Sequence, residues 1–239
     1  PRRKIAVDLL INEQRCLPAL TPRLPLPVTA SIAIGGPGRD FPWPWSVVRW
    51  IDGAPADIDQ PDATQGPVLA AFLRALHQPA TGDAPGNPSR GIPLAVREER
   101  ISAVIARVRS SSDVVTATVE RVWAEALKAD PATEQVWLHA DLHSRNVLSR
   151  NGKLTGVIDW GDMCGGDAAT DFVSVWTLLG HKSAREAAIR DYAPSPSLLA
   201  RGMGWAVLFG VTLFDQLRHD DPRHAAGAEA CLQRITEDA

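Results

Sequence analysis

The sequence predicts an α+β protein in two lobes, a small, partial sheet lobe with an interlobe segment over residues 1–50 and a larger, mainly helical lobe over residues 51–239. Three observations carry that expectation. Two β-type runs flank a Gly-Pro turn in "SIAIGGPGRDFPWPWSVVRWIDG". Apolar residues then recur at helical spacing through several stretches, and a pair of short β-type runs joined at Asn151-Gly152 is embedded among them.

Taken in order, residues 5–20 read as one helix, with Val7, Leu10, Ile11, Gln14 and Leu17 near helical spacing. The proline-rich "TPRLPLPVTA" then forces an extended crossing, because proline removes a backbone donor and clashes with the preceding turn. "GGPG" is read as a hairpin turn rather than a phosphate loop, since neither Gly-Lys-Ser/Thr nor a helix start follows it; the second strand is "WSVVRWI". From Pro67, the residues Val68, Leu69, Phe72, Leu73 and Leu76 share one helical face. "QPATGDAPGNPSRGIPLA" is a loop, followed by helices over 97–109 and 115–129. "QVWL", "NVLS" and "KLTGVIDW" are short strands, the last two closed by Asn-Gly, which favours the left-handed backbone of a tight hairpin turn. Beyond Asp167 the chain is helical, with breaks at Gly180, around Pro194 to Pro196, and at Pro222.

Composition excludes several function classes. Of 239 residues, 45% are hydrophobic and 22% charged, which is ordinary for a globular chain with a sizeable core. A net charge of −3 offers no global attraction to nucleic acid or to anionic lipid, so neither is expected as a partner. Cys16, Cys164 and Cys231 are odd in number and widely spaced, indicating neither a disulfide framework nor a thiolate zinc site and fitting a reducing cytoplasm. The sequence is read as having no run of about 18 apolar residues and no signal-peptide core, so neither membrane insertion nor secretion is expected.

The chemistry concentrates in "WLHADLHSRNVL". His139, Asp141 and Asn146 fit H-x-D-x-x-x-x-N, and Asp159-Trp160-Gly161 follows the hairpin. Moving a γ-phosphoryl group to an alcohol needs a carboxylate at the attacking hydroxyl and cations that neutralise the phosphate oxygens. Magnesium takes hard oxygen donors such as an Asn carbonyl and an Asp carboxylate. Asp141 is therefore the candidate base or hydroxyl-orienting group, and Asn146 and Asp159 the candidate Mg2+ ligands. His139 is read as holding the loop through backbone hydrogen bonds; His143 and Arg145 are either surface residues or, for Arg145, a phosphate contact.

"HADLHSRNVL", followed by "GVIDWGD" and "GGDAATDF", resembles the aminoglycoside phosphotransferase family, small-molecule kinases of protein-kinase-like fold whose pattern is close to HGDLHPGNVL. Ala140 and Ser144-Arg145 stand where the family has Gly and Pro-Gly. "LPLPV", "FPWPWSVVRWIDG" and "NPSRGIPLA" resemble stretches of one branch of that family, so the likeness spans nearly the whole chain. It implies transfer of phosphate from ATP or GTP to a hydroxyl of a small molecule such as an aminoglycoside or other antibiotic. By the same likeness Ser46, Val47, Val48, Arg49 and Trp50 would form the interlobe segment that binds adenine, and Glu13 would pair with the phosphate-anchoring basic residue. Asp167 and Asp171 fall on two downstream aspartates that cap a helix and brace the catalytic loop. The family's phosphate loop and anchoring strand precede the glutamate helix, which here starts close to Pro1, and Lys4 lies too near Glu13 to substitute. The resemblance thus implies weak or absent turnover by these 239 residues and an active parent protein.

Two rival readings stand beside this one. His139, Asp141 and His143 could form a hydrolytic transition-metal site, which leaves Asn146 and the Asp159 motif unexplained. A degenerate kinase-like nucleotide-binding module without turnover is the other. As to the acceptor, Asp215, Asp220, Asp221, Glu229, Glu237 and Asp238 are interspersed with arginines and read as a solvated surface rather than a trap for polycations. Trp205, Phe209 and Phe214 are read chiefly as core, with the option of lining a pocket for a bulkier, less polar acceptor such as a macrolide.

Overall fold

The computed structural model describes Lys4 and residues 6–239; most of the basic opening stretch lies outside them. Helix α1 (Ala6–Leu20) carries Pro18 in its last turn and buries Cys16, Leu17 and Leu20. Ile11, expected on the inner face, is 46% exposed. The crossing after α1 leads to an antiparallel pair, β1 (Ser31–Gly35) and β2 (Trp45–Val48), joined by a connection through Gly36 to Pro44. The second strand is shorter than its letters suggest. Val48 pairs with Ser31, the first residue of β1, so Arg49 to Ile51 have no partner strand and Trp50 projects at 88% exposure.

The larger body holds a three-stranded sheet of β3 (Ala54–Pro55), β5 (Val147–Arg150) and β6 (Lys153–Val157), and a two-stranded one of β4 (Val136–Leu138) and β7 (Cys164–Gly166). Asn151 and Gly152, at φ 53° and 74°, make the tight turn between β5 and β6 that Asn-Gly encodes. β3 and β7 carry no strand signal: one is two residues including a proline, the other is Cys-Gly-Gly. Gly166 is required there by proximity, since a Cβ would lie 2.5 Å from the Gly91 Cα.

Helices enclose these sheets: α2 (Gly66–Leu76), α3 (Glu98–Arg109), α4 (Ala117–Lys128), the short α5 (Ala169–Phe172) and α6 (Ser174–Leu178), α7 (Lys182–Tyr192), α8 (Pro196–Leu217) and α9 (Pro222–Asp238). Three of these helices, α4, α8 and α9, start with a side-chain cap. Thr116, Ser195 and Asp221 each accept the N–H three residues on, and a proline occupies the first turn of α8 and α9. The predicted face of α2 is buried, with Leu69, Phe72, Leu73 and Leu76 at most 1% exposed.

Helix α8 corrects the sequence reading on one point: at 22 residues with mean hydropathy 1.5 it is long and apolar enough to cross a membrane. Here it is the central helix of the body, packed against α3, α4, α5 and α9, with half of that apolar window buried. Trp205 is buried in the core and Phe209 and Phe214 pack against it. All three cysteines are buried and free.

Candidate active site

The loop between β4 and β5 carries His139 to Asn146, and its shape is fixed from below by one carboxylate. Asp171, fully buried on α5, accepts the backbone N–H of His139 and of Ala140 through its two oxygens, each at 2.7 Å. Ala140 sits at φ 69°, the left-handed region where glycine is preferred. Asp171 is in turn 3.4 Å from His77 Nε2, whose Nδ1 bonds the Tyr192 hydroxyl at 2.8 Å. Burial and the charges of Asp171 and Asp167 push Tyr192 up to about 12, so it stays a neutral phenol. His77 and Tyr192 gave no sequence signal, because each is an isolated polar residue on a different helix end.

His139 has both ring nitrogens committed to backbone: Nδ1 accepts from Asp141 N at 3.2 Å and Nε2 donates to Ile158 O at 3.0 Å, with the ring packed 4.7 Å from Trp160. A nitrogen so engaged offers no lone pair to a metal, which removes the His139, Asp141, His143 zinc-type reading. Those bonds orient Asp141 instead. Its Oδ1 accepts from Arg90 Nη2 at 2.8 Å, and its Oδ2 accepts from Asn146 Nδ2 at 3.1 Å and faces His143 Nε2 at 3.4 Å. Burial alone would raise the Asp141 pKa, but the His143 hydrogen bond and the charges of His143, Arg90 and His139 outweigh it and hold the carboxyl well below the usual range.

Asn146 donates its amide nitrogen to the Asp141 carboxylate and to Asp141 O at 3.0 Å, which leaves its carbonyl oxygen as the free end. The backbone of Asn146 continues the ladder to the next strand: Ile158 N donates to Asn146 O at 2.9 Å, so Asp159 emerges beside the loop. Asp159 also has positive φ, 60°. Its charge is felt by Glu13 on α1, whose carboxyl is pushed up to about 7 by burial first and by Asp159 second. Among the described residues Glu13 makes no ion pair.

The remaining candidates fall into three places. Ser46 lies on β2 against α1, where its hydroxyl accepts from Gln14 Nε2 and from Ser31 Oγ, each at 2.9 Å; Val47 and Val48 complete that strand, and Arg49 and Trp50 lie past its end. Asp167 opens α5, accepting Ala169 N and a two-pronged guanidinium from Arg201, at 2.7 and 3.1 Å. Arg145 does not approach a phosphate position: it pairs with Asp221 at 2.7 Å and His224 Nδ1 at 3.0 Å, tying the loop to the start of α9. His143, far from being a surface residue, is buried between Asp141, Phe209 and His224.

Arg90 was missed. It belongs to the "NPSRG" loop, which Asn87 rigidifies by accepting Ser89 N and Arg90 N and by donating to Asp162 at 2.9 Å. A cleft of about 320 Å³ opens beside Asp141, with Arg90, Arg97 and Arg100 on one wall and Leu208, Phe209 and Leu213 of α8 on another.

A loop carboxylate held against an Asn amide, with a second carboxylate leaving the adjacent strand, is the arrangement that the H-x-D-x-x-x-x-N and D-x-G spacing encodes. A family model described as the phosphotransferase enzyme family matches residues 1–205. The chain belongs to that family. It is 32% identical over 129 residues to an aminoglycoside 3′-phosphotransferase of Escherichia coli and 31% identical to one of Salmonella typhimurium. These alignments take in 52% of this chain and 48% of each relative, so the chain spans about half the length of the curated relatives it matches. Among solved structures it resembles the GDP complex of an aminoglycoside 2′-phosphotransferase-IIIa, with TM-score 0.60, 16% identity and coverage of 100% of this chain and 85% of that one. It also resembles the macrolide 2′-phosphotransferase MphH of Brachybacterium faecium, with TM-score 0.58, 21% identity and coverage of 97% and 82%. The phosphotransferase fold is thus the two-lobed, α+β, kinase-like one that the sequence led us to expect.

Proposed function

We propose that this phosphotransferase-family chain transfers the γ-phosphoryl group of ATP or GTP to a hydroxyl of a small molecule, with Asp141 at the reacting oxygen. The observation that carries this reading is the Asp141 carboxylate, positioned by Arg90, Asn146 and the His139 backbone cradle at the mouth of a cleft sized for a small ligand. The acceptor oxygen attacks phosphorus as the bond to the β-phosphate oxygen breaks, the nucleoside diphosphate leaves with that electron pair, and the acceptor proton passes to Asp141 and on to solvent. A carboxylate with a depressed pKa is a weak base, so Asp141 chiefly orients the hydroxyl and takes the proton late, which suits a loose phosphoryl transition state.

Magnesium fits the donors that face this site. The free Asn146 carbonyl and the Asp159 carboxylate are hard oxygen ligands from adjoining strand ends, and among the described residues no cluster of three His, Cys, Asp or Glu competes as a softer metal site. Bound there, Mg2+ would neutralise charge on the phosphate oxygens. Ser46 to Trp50 and Glu13 border the nucleotide side in this reading. The proteins it resembles are named for acceptors as unlike as aminoglycosides and macrolides, so family membership leaves the acceptor to the cleft. The test is phosphoryl transfer with Mg-ATP and Mg-GTP over a panel of alcohols. Asp141→Ala should abolish transfer with nucleotide affinity little changed, and Asp159→Ala should weaken Mg-nucleotide binding as well. Nucleotide binding without transfer to any alcohol by the full-length parent protein would favour the non-catalytic module instead.

A further inference from the structure

The charge of the cleft beside Asp141 is opposite to what a polycationic antibiotic requires. Three guanidinium groups, Arg90, Arg97 and Arg100, line it, against a single carboxylate, Asp141. That carboxylate is already paired with Arg90. Among the described residues neither Arg97 nor Arg100 has a carboxylate partner; Arg97 only donates to Ser89 O at 2.7 Å. The two lie three residues apart across the start of α3, so they project from neighbouring positions of one helical face. Glu98 and Glu99, the acidic residues between them, do not line the cleft. Arg97 is held below its ordinary pKa by burial first and then by the charges of Arg100 and Arg90, as crowded cations are.

The other walls are apolar or neutral: Ile101 of α3, and Leu208, Phe209 and Leu213 of α8. Two buried polar atoms of lining residues, Thr212 Oγ1 and His224 Nε2, have no hydrogen-bond partner among the described residues. Burial, then the charges of His143 and Arg145, lowers the His224 pKa, which favours a neutral imidazole on that side of the cleft. None of Glu13, Asp159 or residues 31–50 borders this space, which separates it from the side assigned above to the nucleotide.

We infer that the acceptor is a compact alcohol carrying an anionic group, a carboxylate or its equivalent, on an apolar body: the anion meets Arg97 and Arg100, the body lies along Ile101, Leu208 and Phe209, and the hydroxyl reaches Asp141. The inference rests on the phosphotransferase reading for the role of the hydroxyl, and on the cleft alone for the charge. A like-charged polyamine would face uncompensated repulsion there, which costs affinity and slows encounter. A volume near the low end of known ligand pockets, roughly 300–1,000 Å³, favours a small acceptor.

Calorimetric titration with charge-matched trios tests this. One trio is para-hydroxymethyl benzoate, the benzamide and the benzylamine; another is ω-hydroxyhexanoate, its amide and the corresponding amino alcohol; kanamycin is titrated beside them. The acid should bind at least about tenfold tighter than its amine in one trio or both, and the preference should shrink with added salt. It should vanish in Arg97→Gln/Arg100→Gln and return in Arg97→Lys/Arg100→Lys, a pair that also controls for folding. No preference for the acid in either trio, tighter binding of an amine or of kanamycin, or a preference unchanged in the Gln variant overturns the inference. Parallel Mg-ATP transfer assays keep the two readings apart. Anion-selective binding leaves the charge assignment standing whether or not transfer accompanies it, whereas transfer only to cationic alcohols overturns that assignment and leaves the phosphotransferase reading.

Discussion

Asp171 Oδ1 accepts the Ala140 backbone N–H at 2.7 Å, and in doing so holds a non-glycine residue at φ 69° beside Asp141. An L-residue in the left-handed region is strained by about 1–2 kcal/mol, because its Cβ crowds the following carbonyl. Glycine removes that strain but gains freedom when unfolded, which offsets part of it. Ala140→Gly should therefore stabilise the fold by about 0.5–1 kcal/mol. For a chain of this size that is a rise in Tm of about 1–4 °C, readable by thermal unfolding. A fall in Tm would show that the strain assigned to Ala140 is absent.

Replacing Asp171 tests the other partner. Asn at this position keeps the shape but has only one acceptor oxygen for two N–H groups that face it. Asp171→Asn should cost about 1–3 kcal/mol, the usual penalty for a buried donor left unmade. It should also reduce transfer more than the lost stability explains, because the loop that carries Asp141 loses its anchor. Urea unfolding and steady-state kinetics on the same preparation separate the two effects; full activity at reduced stability would mean that Asp171 holds the fold and not the loop.

Arg90 helps to keep Asp141 ionised. Its guanidinium is among the groups that depress the Asp141 pKa, after the hydrogen bond and charge of His143. Removing it raises that pKa, so Arg90→Met should move the acid limb of the kcat/KM profile toward neutral pH, while the wild-type limb lies well below the ordinary carboxylate range. A limb that stays in place in the variant would show that Arg90 does not touch the reacting carboxylate in solution.

Much of this site was legible because its chemistry is local. His139, Asp141 and Asn146 lie within eight residues, and Asp159 leaves the next strand of the same hairpin, so spacing alone brings them near one another. What escaped notice depends on tertiary contact. Arg90 sits 51 residues from Asp141 in a Pro- and Gly-rich loop that reads as featureless, and His77 lies 94 residues from Asp171. The same holds for strands: β5 and β6 announce themselves through β-branched residues and Asn-Gly, whereas β7 is Cys-Gly-Gly and exists because β4 and the Gly91 backbone lie against it. Arg145 was open between surface and phosphate because its partner Asp221 is 76 residues away, at the cap of a helix whose docking no local pattern reveals.

Glu13 supplies a pH dependence with a defined sign. Burial, then the charge of Asp159, pushes its carboxyl from the ordinary 4.5 up to about 7 in the folded protein, so the folded state binds more protons between those values. Stability is then highest below about pH 4.5 for this group and falls as pH rises through 7. Glu13→Gln should remove that decline, leaving the variant more stable at pH 8 by about 1–2 kcal/mol after allowance for partial solvent screening. Urea unfolding across pH 5 to 8 reads it, and parallel pH curves for the two proteins would show that Glu13 titrates normally.

The Asp167–Arg201 pair offers a test of what a buried ion pair contributes to this fold. Both side chains are 7% exposed, the guanidinium grips the carboxylate with two nitrogens, and Arg201 also donates to Asp130 O. The pair joins the start of α5, four residues before Asp171, to the middle helix α8. Asp167→Ala leaves Arg201 buried without its counter-ion and should cost about 3–5 kcal/mol. Asp167→Leu/Arg201→Met removes both charges and should cost far less than the sum of the single replacements, because desolvation of the pair opposes its attraction. A double-mutant cycle by urea denaturation measures the difference. If the double variant keeps its stability but loses transfer, the pair serves to set the position of α5 beneath the loop that carries Asp141; if it keeps both, the ion pair is dispensable to this site.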